Sequence, residues 1–261
     1  MRRAGPPRQW GIPMTRHAAL TPADRLIVAL DFNERAGALR LVDALSGAVT
    51  FYKVGYELFI AEGWPIVDEL CRRGFSVFLD LKMDDIPETI TRAVGHVATK
   101  PGVRLLTIHG GAKTAAAAKA GKGDSALKIL QVTLLTSMSE ADLRDMHLVG
   151  EGKRFASVSD YVGWRAETAL ANGADGLIAS GREAAMLRTR CGADFTLVCP
   201  GIRPAGDATG DHQRAITPAD AIAAGADHLV VGRPIRDAAD PREKARQVIA
   251  EIEQGLAARK R

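Results

Sequence analysis

FSVFLDLKMDDIPETITRAVGHVATKPGVRLLTIH, residues 75–109, contains one whole repeat of the architecture. FSVFLDL (75–81) and VRLLTIH (103–109) are short runs rich in Val, Ile, Leu and Phe, which read as strands. Between them Ile86-Pro87 turns the chain into a helix, because proline is well tolerated in a first helical turn. Strand, helix and strand in succession imply parallel pairing through a right-handed crossover.

The same unit recurs outward from this stretch. Further strands are expected near 25–31, 50–54, 128–135, 175–179, 195–199 and 227–231. The segments ERAGALRLVDALSG (34–47) and YELFIAEGWPIVDELCRRG (56–74) carry apolar residues at helical spacing and end in glycine. NGADGLIASG (172–181) and AGADHLVVGR (224–233) resemble each other, each a helix end, a Gly-Ala-Asp turn and a strand. Eight such units in 261 residues predict an α/β fold, a single (β/α)₈ TIM barrel over residues 24–258. An open doubly wound sheet is the alternative. It calls for a GxGxxG or GxxxxGK[ST] loop after an early strand, and the chain has neither.

The composition, 46% hydrophobic and 25% charged, is that of an ordinary globular protein. No run approaches the roughly 18 apolar residues of a membrane span, and no apolar stretch of signal-peptide type follows the first arginines, so a cytoplasmic location is expected. Cys71, Cys191 and Cys199 are odd in number and lack CxxC spacing, which favours small buried hydrophobes over a disulfide or a zinc site. The net charge of +4 belongs to the tails. Residues 1–23 carry Arg2, Arg3, Arg8 and Arg16, and the last seven carry Arg259, Lys260 and Arg261, with no acid in either stretch. Setting those seven aside leaves 28 basic residues against 31 acids, so no nucleic-acid face is indicated. Residues 1–23 read as a basic, disordered extension, with Met14 as a second candidate start.

In a barrel of this kind, chemistry collects at the C-terminal ends of the strands. Those ends carry Asp31, Lys53, Asp80 with Lys82, His109, Thr136, Ser180, Arg203 and Gly232-Arg233. Any one of them is equally well explained as turn chemistry. The two lysines are harder to dismiss, since an ammonium at the end of an apolar strand is costly without a partner. Asp80 and Lys82 have the period-2 spacing that sends both side chains toward one cavity. Histidines outside any metal spacing read as structural.

The motif Asp-x-Lys-x-x-Asp-Ile-Pro-x-Thr stands here as DLKMDDIPET (80–89). Around it, in order, are VALD (28–31), KVGYELF (53–59), VTLLTS (132–137), PGIRP (200–204), TPADAI (217–222) and VVGRPI (230–235). Together these resemble the orotidine 5′-phosphate decarboxylase family, over roughly residues 24–250. The resemblance implies a cofactor-free and metal-free lyase that makes UMP from orotidine 5′-monophosphate, with Lys82, Asp80, Asp85 and Lys53 as catalytic residues. Asp31 and Lys53 would hold the ribose hydroxyls, Asp80 and Lys82 would face the scissile carboxylate, and Thr136 would lie against the pyrimidine. Arg203, Gly232 and Arg233 would bind the 5′-phosphate. The resemblance also implies a homodimer in which Asp85 and Thr89 reach into the neighbouring site, with Ile86 between them contacting substrate.

One position departs from the family pattern. A phosphate-contacting Gln is expected in a DQxR order, whereas this chain reads Asp211-His212-Gln213-Arg214; residue type favours Gln213 and spacing favours His212. The segment PGIRPAGDATGDHQRAI (200–216) is long for a barrel loop and is expected to act as a phosphate-gripping lid. Asp84 falls outside the motif and is expected to be solvated or to sit at a helix start. Two other readings remain. Mg²⁺-dependent sugar-phosphate decarboxylases and aldolases share the Asp-x-Lys-x-x-Asp core but use an acid at the end of strand two, where this chain has Lys53. A non-catalytic phosphate-binding barrel would keep Arg203 and Arg233 without the Asp80–Lys82 pair.

Overall fold

The computed structural model describes residues 20–207 and 216–259. The basic extension up to residue 19, the centre of the expected lid and both His212 and Gln213 fall outside the described residues. Eight parallel strands form a closed barrel in sequence order: β1 (Leu26–Ala29), β2 (Phe51–Gly55), β3 (Ser76–Met83), β4 (Val103–Ile108), β5 (Lys128–Val132), β6 (Gly176–Ile178), β7 (Thr196–Cys199) and β8 (His228–Val231). β8 closes on β1 through the register Leu26–Leu229, Ile27–Val230 and Val28–Val231. Outside the strands run α1 (Arg35–Ala44), α2 (Tyr56–Glu62), α3 (Trp64–Arg72), α4 (Pro87–Ala98), α5 (Ala112–Lys122), α6 (Glu140–Asp145), α7 (Val158–Ala171), α8 (Ala184–Cys191), α9 (Pro218–Ala223), α10 (Arg233–Arg236) and α11 (Pro241–Arg259).

Strand alternation separates two cores. Ile27, Phe51, Phe78, Leu105, Leu130, Val198 and Val230 point inward and fill the barrel. Their neighbours Val28, Tyr52, Leu79, Leu106, Ile129, Leu197 and Leu229 point outward and pack with the helices. Two residues on from the inward Phe51, Phe78 and Leu105 come Lys53, Asp80 and Thr107, so the same alternation that buries the apolar plug aims polar groups at the mouth above it.

All eight expected strands are present; each has at least one end displaced, most by a single residue, and the C-terminal ends of β1, β3 and β5 are displaced by two or three, β1 stopping at Ala29 instead of 31. β5 stops at Val132 instead of 135, because its partner β6 ends at Ile178 and offers only its last carbonyl to Thr133. β3 runs two residues further, to Met83, and between Leu79 and Met83 it holds two more residues than the facing part of β4. That bulge contains Lys82, whose φ of 44° is left-handed. The segment 56–74 is two helices, α2 and α3, broken at Gly63 with φ 60° and ψ −148°.

The internal sequence echo has a structural cause. In NGAD (172–175) and AGAD (224–227) a left-handed glycine, Gly173 or Gly225, ends a helix and lets the chain turn back to the barrel floor. The aspartate that follows pairs with the start of the preceding strand: Asp175 N–H donates to the Ile129 carbonyl and its carboxylate accepts from Ile129 N–H, both at 2.8 Å. Asp227 does the same with Leu197, again at 2.8 Å twice. A cation from the preceding helix region completes each strut, Lys122 on Asp175 and Arg188 on Asp227, both at 2.7 Å.

Candidate active site

Four charged side chains alternate across the mouth of the barrel. Lys53 Nζ lies 2.9 Å from Asp31 Oδ1 and 3.8 Å from Asp80 Oδ2, and Lys82 Nζ lies 2.9 Å from Asp80 Oδ1. The middle of the row is the least accessible: the Lys53 and Asp80 side chains are 11% and 14% exposed, against 45% for Asp31 and 28% for Lys82. Charges so placed are stabilised by each other where water is scarce, and each fixes its neighbour's position. The outer end of the row is open, with Lys82 Nζ 6.0 Å from the centre of the Tyr56 ring.

Neighbouring backbone and side chains leave this row little freedom. Thr107, fully buried on β4, donates its hydroxyl to Asp80 Oδ1 at 2.9 Å and accepts the Lys82 backbone N–H at 2.8 Å. A Cβ on Gly55 would sit 2.8 Å from Lys53 Nζ. A Cβ on Gly232 would come within 3.5 Å of Asp31 Oδ2, which places the β8 end directly beside the first carboxylate of the row. Arg236 on α10 donates to the Asp31 carbonyl at 3.0 Å and fixes the turn after β1.

Arg203 is buried after β7, and its guanidinium donates to the Ile202 carbonyl at 2.8 Å. Its N–H donates to the Ile216 carbonyl at 3.0 Å, and an Ile202–Ile216 bridge draws together the two ends of the loop between them. Arg233 opens α10 directly after Gly232. Thr136 is half-buried in the segment following β5. Asp85, Ile86 and Thr89 stand apart from the row: all three are exposed, and Asp85 Oδ1 accepts its nearest bond, 2.6 Å, from the adjacent Ile86 N–H.

Asp84 has more to do than expected. Its Oδ1 accepts from Thr114 on α5 at 3.0 Å, across a gap that only Gly110 leaves open, since a Cβ there would lie 2.2 Å from the same oxygen. Nearby, His109 directly follows β4; burial pushes its imidazole below the usual range, the Arg165 charge pushes the same way, and Asp84 opposes both. Arg165 itself bridges two strand ends by donating to the carbonyls of His109 and Val132 at 2.6 and 3.0 Å. Ser180 follows the turn explanation, capping a short helical turn through Arg182 N–H and Glu183.

The model of the orotidine 5′-phosphate decarboxylase / HUMPS family matches residues 24–248. The chain belongs to that family. Among orotidine 5′-phosphate decarboxylases, the protein of Rhodopseudomonas palustris strain BisB5 is 51% identical over 231 residues, 88% of this chain and 95% of that one. That of Methylobacterium sp. strain 4-46 is 48% identical over 89% of this chain and 97% of its own length. The crystal structure of orotidine 5′-phosphate decarboxylase from Lactobacillus acidophilus superposes with a TM-score of 0.74 at 35% identity, covering 87% of this chain and 97% of that chain.

Of the residues expected from resemblance to the orotidine 5′-phosphate decarboxylase family, Asp31, Lys53, Asp80 and Lys82 converge in one row, with Gly232 against it. Sequence reading missed Thr107, Gly55 and Arg236. Thr107 was open to detection, since it lies two residues before His109 on the inward face of β4; Gly55 acts only by the space it leaves.

Proposed function

We propose that this chain decarboxylates orotidine 5′-monophosphate to UMP and CO₂, the closing step of UMP synthesis, without a metal or cofactor. The alternating row Asp31–Lys53–Asp80–Lys82 at the barrel mouth carries the reading. Breaking the bond from C6 to the carboxylate leaves an electron pair on C6, with no adjacent carbonyl or cofactor ring to spread it. Lys82 supplies the opposing charge and then gives a proton to C6, and solvent returns a proton to the amine. An ammonium about 4 Å from such a charge contributes on the order of 4 kcal/mol at an effective dielectric of 20. Enzymes lower barriers by roughly 8–23 kcal/mol, so ribose and phosphate binding must organise the remainder. Asp31 and Lys53 would take the ribose hydroxyls, Thr136 the pyrimidine, and Arg203, Gly232, Arg233 and Gln213 the phosphate. Asp80 holds both ammonium groups in place.

Lys53 favours this reading over the Mg²⁺-dependent relatives, because its ammonium lies between the Asp31 and Asp80 carboxylates where a divalent cation would draw them together. Purified protein mixed with orotidine 5′-monophosphate in EDTA should release CO₂; activity restored only by Mg²⁺ would point to the sugar-phosphate enzymes, and a well-folded inert sample would contradict the assignment.

The same reading includes a homodimer that shares its sites. Asp85 and Thr89 face solvent beside the apolar and 66% exposed Ile86, and Tyr56 and Ile60 on α2 are 51% and 78% exposed. Exposed apolar side chains with exposed polar ones among them suit a second copy of the chain. Mixing inactive Lys82→Ala with inactive Asp85→Ala subunits should restore turnover in the hybrid; no recovery would count against donation of Asp85 across the interface. We read residues 24–258 as one catalytic domain working in the cytoplasm, and no helix among the described residues is long and apolar enough to cross a membrane.

A further inference from the structure

We infer that Thr107 is a positioning residue of the active site, its single hydroxyl coupling the orientation of the Asp80 carboxylate to the backbone conformation of Lys82. The inference rests on the decarboxylase reading for its kinetic consequence, though not for its geometry. Three observations converge. Thr107 is fully buried at the inward face of β4, where its neighbours two residues away are the barrel-filling Leu105 and His109, the first residue beyond the strand. Its hydroxyl is used in both directions: the O–H donates to Asp80 Oδ1 at 2.9 Å, and the oxygen accepts Lys82 N–H at 2.8 Å. The accepted N–H belongs to a residue at φ 44°, inside a bulge where the β3–β4 ladder is out of step by two residues.

A lysine held in the left-handed region is strained and returns to an ordinary strand conformation unless something fixes it. Within the bulge the Lys82 N–H is bonded to this hydroxyl, and no register pair of the β3–β4 ladder falls on Lys82. The same hydroxyl turns Asp80 so that Oδ1 meets both Thr107 and Lys82 Nζ, leaving Oδ2 directed toward Lys53. One oxygen on β4 thus sets two of the four charges in the row and the direction in which the Lys82 side chain leaves the backbone. Valine has the same shape and neither bond; serine keeps both.

The test compares wild type, Thr107→Val and Thr107→Ser. Turnover of orotidine 5′-monophosphate gives kcat and KM, UMP titration gives ground-state binding, and thermal unfolding checks the fold. Thr107→Val should lower kcat by about tenfold or more while KM and UMP affinity stay within about threefold, and Thr107→Ser should recover most of kcat. A second readout needs no substrate: in protein labelled with ¹³C at lysine Cε, the Lys82 resonance, assigned by its loss in Lys82→Arg, should move in Thr107→Val and hold in Thr107→Ser. An unmoved resonance in Thr107→Val, a kcat within about twofold of wild type, or equal impairment by both substitutions would overturn the inference. If wild type itself fails to turn over orotidine 5′-monophosphate, the decarboxylase reading fails, and the resonance alone decides the role of Thr107.

Discussion

Gly55 illustrates how the charged row depends on residues that carry no charge. Its absent side chain leaves room for the Lys53 ammonium, and a methyl group there would arrive 2.8 Å from Nζ. The flexible lysine can swing aside, so the fold should tolerate Gly55→Ala with a melting point within a few degrees of wild type. The ammonium cannot then keep its 2.9 Å contact with Asp31. The predicted result is a loss of about tenfold or more in kcat/KM for orotidine 5′-monophosphate, since small misplacements in a preorganised site are costly; full activity would show that Lys53 has more freedom than the packing implies. At this scale the sequence revealed the charged members, because Lys53, Asp80 and Lys82 each interrupt or end an apolar strand. Gly55 and Thr107 were hidden, because a vacant volume and a bond between adjacent strands leave no mark in the pattern of either strand alone.

Among the elements, the Gly-Ala-Asp turns do the least visible work. The sequence showed that 172–181 and 224–233 are alike; it did not show that each aspartate ties a strand start, a helix-region cation and the barrel floor together. Asp227→Ala would leave the Leu197 N–H and the largely buried Arg188 without their shared carboxylate. A loss of about 2–3 kcal/mol is expected, read as a lower urea midpoint at unchanged slope. A midpoint equal to that of wild type would mean the strut is ornamental. Helix and strand ends were legible only in part for a related reason. The break at Gly63 depends on backbone angles, and the early end of β5 depends on where β6 stops, neither of which a local apolar run records.

On the scale of the whole molecule the barrel was legible, because eight apolar runs alternating with helical segments admit few other arrangements. What closes its lower end was not. His228 is buried at the start of β8, meets Phe51 edge-on with ring centres 5.8 Å apart, and places Nδ1 3.0 Å from the Asp24 carbonyl, where only an N–H on that nitrogen can bond. Burial pushes this imidazole down from 6.5 to about 4. Between those values the unfolded chain takes up a proton that the folded one declines, so stability should fall as pH drops from about 6.5 toward 4, by up to about 3 kcal/mol from this group. Urea unfolding at several pH values should show a shallower acid dependence in His228→Asn, which keeps a donor without titrating; an unchanged slope would assign the dependence elsewhere. The Lys82 ammonium is proposed to carry the chemistry, and CO₂ release from orotidine 5′-monophosphate by Lys82→Ala, alongside UMP binding by the same protein, is the measurement that decides it. Turnover should fall by about 10³-fold or more with UMP still bound, and turnover close to wild type would contradict that role for Lys82.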